Sequence, residues 1–256
     1  MICGKHQIIM IRFEVCTNSC QSVRNAMEGG AQCAELCEAL EVGGVTPSYG
    51  TLLKVSKIVE KSKNFDVRVL IRCRPGNYIY NDDEIDTMCE DIKMTKSLGY
   101  EGVVIGALNE NGELDVPAIK KMMTAGEGMK FTFHRAIDAC KNPVKAMETL
   151  IDLGFDKVLT SGGKPNALAG IEMIAEFQKR FGEKINIMAG GGVNLNNIKE
   201  IIAKTSVRNC HASLTTVVEN YHAELYPNQV DNTGAGMTWK VSNLQKIKEF
   251  VELIKD

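Results

Sequence analysis

The chain has 256 residues, 44% of them hydrophobic and 24% charged, which excludes a disulfide-stapled mini-protein, a disordered chain and a bundle of membrane spans. Thirty basic against thirty-two acidic residues leave a net charge of -2, too little of either sign to hold nucleic acid or an anionic membrane. Nine cysteines are an odd number in a chain large enough to fold without bridges, and they read as thiols in a reducing, cytoplasmic compartment.

The first residues, MICGKHQIIMIRFEVC, hold an apolar stretch interrupted by Arg12, shorter than a signal segment needs, so export is not expected. Eight short apolar runs then follow at intervals of 20 to 35 residues: IRFEV at 11–15, CAELC at 33–37, VRVLI at 67–71, GVVIG at 102–106, KFTFH at 130–134, KVLTS at 157–161, INIMA at 185–189 and VRNCH at 207–211. Each precedes a stretch of helical period. Ile85, Met88, Cys89 and Ile92 lie at i, i+3, i+4 and i+7, and Leu244, Ile247, Phe250, Val251 and Ile254 repeat that spacing near the C-terminus. Helix starts are marked by Asp115 with Pro117, by Asn142 with Pro143, and by a box from Ser242 to Gln245; Gly99 and Gly154 mark stops. Eight strand-then-helix units in this length predict a single (β/α)8 barrel domain over 1–256. The stretch 212–241, with Tyr221, Tyr226, Pro227, Gly234, Gly236 and the only tryptophan, Trp239, reads as a long loop after the eighth strand. It is a candidate lid or contact surface, and a homo-oligomer is expected.

In such a barrel the chemistry gathers at the C-terminal ends of the strands. Alternation puts Glu14 with Cys16, Glu35 with Cys37, and Arg72 with Arg74 on common faces, so thiols, carboxylates and guanidiniums should converge there. Cys16, Cys37, Cys73 and Cys210 end strands that are consecutive around a closed barrel; two thiolates suffice for Cu(I), and Zn(II) is the other soft-ligand choice. The CxxxC spacings of Cys16 with Cys20 and Cys33 with Cys37 lack the pattern of a zinc finger. A different reading is an enzyme acting on a small anionic or phosphorylated metabolite. Glu14, Glu35 and His134 would be its acid and base groups, and Arg72, Arg74, Ser161 and the turn Gly190, Gly191, Gly192 would be its anion anchors.

FEVC at 13–16, AELCEALEVGGVTPSYG at 34–50, IRCRPGNYIY at 71–80, EDIKMTKSLGYEGVVIGALNENGELD at 90–115, TFHRAID at 132–138, LTSGG at 159–163 and IMAGGGV at 187–193 together resemble the CutC copper-homeostasis family. The resemblance implies a (β/α)8 barrel and a cytosolic role in copper handling, with Cu(I) held by cysteines at the positions of Cys16 and Cys37. His134 or His211 is the candidate nitrogen donor. Cys73 stands between two arginines where the family usually has proline, Pro75 takes a glycine position, and Cys210-His211-Ala212-Ser213 only approximates the usual His-Ser-Ser ending.

Overall fold

The computed structural model describes residues 11–60, 62, 64–219 and 238–255. Eight parallel strands close on themselves in chain order: β1 (Arg12–Thr17), β2 (Cys33–Leu36), β3 (Asp66–Leu70), β4 (Gly102–Ile105), β5 (Lys130–Phe133), β6 (Lys157–Thr160), β7 (Asn186–Ala189) and β8 (Asn209–Ala212). All eight apolar runs become these strands. Helices α1 (Cys20–Glu28), α2 (Tyr49–Val59), α3 (Asp82–Ser97), α4 (Val116–Ala125), α5 (Pro143–Leu153), α6 (Ile171–Phe181), α7 (Ile198–Thr205) and α8 (Leu244–Leu253) alternate with them, which makes the fold a TIM-type (β/α)8 barrel. None of the described helices is long and apolar enough to cross a membrane.

The helices begin where the sequence punctuates them. Asp115 and Asn142 accept the backbone N–H of Ala118 and Lys145, each with proline in the first turn, and Gly154 ends α5 in the left-handed conformation at φ 87°. The last helix departs from expectation. Its cap is Asn243, which accepts the Lys246 N–H, whereas Ser242 is still in a strand and donates its hydroxyl to the Cys16 carbonyl. The stretch 212–241 is likewise not all loop: β9 (Thr215–Glu219) and β10 (Thr238–Ser242) pair antiparallel, while Tyr221, Tyr226, Pro227, Gly234 and Gly236 lie outside the described residues. Four β-branched residues in Thr215-Thr216-Val217-Val218 favour the extended form that the loop reading passed over. Trp239 is exposed on that ribbon.

The apolar core is the layer between the outer face of the barrel and the helices, where Phe13 stacks on Phe250 of α8 with ring centroids 4.2 Å apart. The barrel interior is unusually polar. Lys157 of β6 reaches Glu14 of β1 at 2.9 Å, and Arg68 of β3 donates to Thr132 of β5 and to Asp156 just before β6. These strands are not neighbours in the sheet, so the contacts cross the lumen. Glu14, Lys157 and Arg68 are tolerated there because each is paired.

Candidate functional site

Inward residues step up each strand in twos, so the top layer is set by strand register. Glu14 lies opposite Cys33 and His211, and Cys16 lies opposite Glu35. Register therefore brings Cys16, Glu35 and His211 to one place at the C-terminal mouth. Their ligand atoms all lie within 4.8 Å of one another, and all three residues are buried. The Cys16 Sγ is 3.9 Å from the Cys37 Sγ and 3.4 Å from Glu35 Oε2, while Cys37 also donates to the Thr17 carbonyl. His211 Nδ1 bonds Glu14 Oε1 at 3.0 Å, and its Nε2 is turned to Glu35 Oε2 at 3.7 Å.

The charges of this cluster are strongly shifted. Burial pushes the Glu14 carboxyl up, but the Lys157 ammonium and the hydrogen-bonded His211 outweigh it and hold Glu14 well below the usual carboxylate range. Burial disfavours the charged forms of Lys157 and His211, yet Glu14 raises both above their ordinary values, with Glu35 adding to the effect at His211. Glu35 is raised by burial and by the nearby Glu14 charge, against the pull of His211. The hydrogen bond with Cys37, together with burial and the Glu35 carboxylate, holds the Cys16 thiol well above its ordinary value. Free Cys16 is thus a protonated thiol at neutral pH, and a metal would have to displace its proton. A carboxylate on Nδ1 fixes the imidazole plane and leaves Nε2 as the ligand nitrogen, a common device around metal-bound histidine.

The mouth is a cleft of about 560 Å³ whose walls include Cys16, Glu35, Leu70, Arg72, His134 and His211. His134 caps its own turn by accepting the Ala136 N–H on Nδ1, and burial, with the Arg72 charge, drives it down to about 3. Gly191 and Gly192 also line the cleft, with φ 92° and 69°. A broader depression of about 990 Å³ opens at the other end of the barrel, but its Arg68, Lys157 and Lys130 are each paired with a carboxylate, so it offers no spare charge among those groups.

Several expected site residues stand elsewhere. β3 ends at Leu70, so alternation no longer applies to Arg72 and Arg74: Arg72 lines the cleft, whereas Arg74 turns outward to Glu84 and the Ile79 carbonyl. Ser161 is occupied by Asp138 and Arg135 and is not in the cleft wall. Gly190 instead makes room, since a side chain there would strike Leu159 and crowd His211. Glu14 sits below the cleft behind His211, and Glu35 and His134 reach its wall. The Cys210 thiol turns to the Arg12 carbonyl, and Cys73 packs against the apolar core, so neither joins Cys16 and Cys37. Lys157 and Arg68 went unread in the sequence. Their signal was a cation at the inward phase of an otherwise apolar run.

Comparison with known proteins agrees with this fold. The CutC family model matches residues 11–216. A CutC family protein of Bacteroides fragilis is 38% identical over 244 residues, 95% of this chain and 94% of its own, and one from Glaesserella parasuis is 36% identical over 95% and 99%. The crystal structure of CutC from Streptococcus agalactiae superposes with a TM-score of 0.76 at 32% identity, covering 80% of this chain and 99% of that one. Thiamine phosphate pyrophosphorylase from Pyrococcus furiosus, at 15% identity and a TM-score of 0.59, shares the barrel fold alone. The chain belongs to the CutC family.

Proposed function

We propose that this protein takes part in copper homeostasis by binding Cu(I) between Cys16 and Cys37, with His211 Nε2 as a third donor. The observation that carries the reading is the 3.9 Å separation of the two sulfurs. At metal–sulfur bonds of about 2.3 Å, two sulfurs sharing one ion stand roughly 3.8 Å apart at a tetrahedral angle and roughly 4.6 Å apart in line. Two soft thiolates and an imidazole suit Cu(I), whereas Glu35 is a hard oxygen better matched to other ions. The relative from Streptococcus agalactiae bears the name of a copper homeostasis protein, which supports copper as the cargo. Close free thiols and Cu(I) belong in a reducing compartment, so a cytoplasmic location is part of the proposal.

Anaerobic competition against a Cu(I) chelator tests it. The wild-type protein should withdraw one Cu(I) per chain, with affinity rising with pH because the Cys16 proton must leave. The Cys16→Ser, Cys37→Ser double variant should lose that affinity by at least about a hundredfold, the loss of two soft donors. Equal competition by the two proteins, or preference for Zn(II) over Cu(I), would sink the reading.

A further inference from the structure

Cys16 and His211 occupy one side of the cleft; the other side carries unbalanced positive charge and an unused donor. Arg72 is 5% exposed, yet among the described residues no carboxylate pairs with it. Its guanidinium is held by neutral carbonyls, those of Gly44 at 2.8 Å, Gly76 at 2.7 Å and Val42 at 3.4 Å, and it lies over the Tyr78 ring at 5.3 Å. Carbonyls position a cation but do not neutralise it, so a full charge is buried without a counter-ion.

His134 adds an independent observation from a different strand end. It is also 5% exposed, and because its Nδ1 accepts the Ala136 N–H, the ring proton sits on Nε2. That Nε2–H has no acceptor. An unsatisfied buried donor is costly, and such groups are rare unless something completes them. The two groups line the same cleft and flank one ring: the Arg72 guanidinium is 5.3 Å and the His134 ring 4.8 Å from the centroid of Tyr78. The cleft's roughly 560 Å³ lies within the range of small-molecule sites and far exceeds what an ion needs.

We propose that this half of the cleft binds a small organic oxyanion, a carboxylate or a phosphate monoester, with one oxygen facing Arg72 and another accepting the His134 Nε2–H. The missing counter-ion and the missing acceptor are then supplied by one ligand. The inference stands apart from the copper reading, because it uses neither thiol and either can fail alone.

The test is a titration of copper-free protein with inorganic phosphate and, separately, with succinate. It is followed by the side-chain 15N–1H signal of His134 and by thermal melting. At least one anion should shift the His134 Nε2–H resonance to saturation and raise the melting temperature. Phosphate alone assigns a phosphate group, succinate alone a carboxylate, and both leave the shared oxyanion chemistry. Arg72→Gln and His134→Phe should each weaken binding about tenfold or more, as loss of a charge-assisted bond does. Arg74→Gln, with its guanidinium outside the cleft, should bind as wild type does. Arg72 also latches two loops, so a misfolded Arg72→Gln leaves the wild-type resonance and His134→Phe to decide. No shift with either anion, or unchanged binding in both His134→Phe and a folded Arg72→Gln, overturns the proposal.

Discussion

Glu14 is the residue on which the interior turns. Its carboxylate is 1% exposed and bonded to both Lys157 and His211, so removing one cation leaves a buried charge half compensated. Lys157→Met should therefore destabilise the fold by about 3 to 5 kcal/mol, as breaking a buried pair does, whereas Lys157→Met with Glu14→Gln should recover most of that loss. Urea denaturation of the two variants checks this, and a double variant no more stable than the single one would refute it. The thiol and carboxylate half of this site was legible because Glu14, Cys16, Glu35 and Cys37 obey strand alternation. Arg74 was misplaced because the same rule was carried past Leu70, where the strand stops. Lys157 was passed over because a single cation in an apolar run resembles an edge residue until closure of the sheet supplies a partner from β1.

At the scale of elements, the ribbon β9–β10 buttresses the strand that carries Cys16. Asn18 donates to the Lys240 carbonyl, and Ser242 binds Ser22 through its N–H and the Cys16 carbonyl through its hydroxyl. Helix α8 begins two residues later, at Leu244, with Asn243 as its cap. Asn243→Ala should cost about 1 kcal/mol, the usual loss of an N-cap, measured as a lower urea midpoint with unchanged slope. The barrel strands could be read from sequence because each of the first seven is followed by a helix, several of them capped by Ser, Asn or Asp, and the alternation repeats along the chain. The ribbon breaks that pattern with two strands in succession. Its β-branched residues were therefore outweighed by the expectation of one long connection.

For the whole molecule, pH sets the balance among buried groups that titrate in opposite directions. His134 has a folded value of about 3 against an ordinary 6.5, so between those values the unfolded chain binds more protons and stability falls as pH drops. The depressed Glu14 acts in the same sense below its ordinary 4.5, its contribution being lost as pH falls through the folded value. His211, raised above 6.5, contributes fully below that pH and loses its contribution as pH rises through its folded value. Glu35, raised above 4.5, also favours the folded state more as pH falls through that window. Because these contributions overlap, a variant is needed to separate that of His134. Between pH 6.5 and 4.5, His134 contributes up to about 1.4 kcal/mol of lost stability per pH unit, and His134→Phe removes that slope while leaving the others. Denaturation of both proteins across this window should show wild type losing ground to His134→Phe with each step into acid. A constant difference between the two would mean that His134 is not held neutral by its burial beside Arg72.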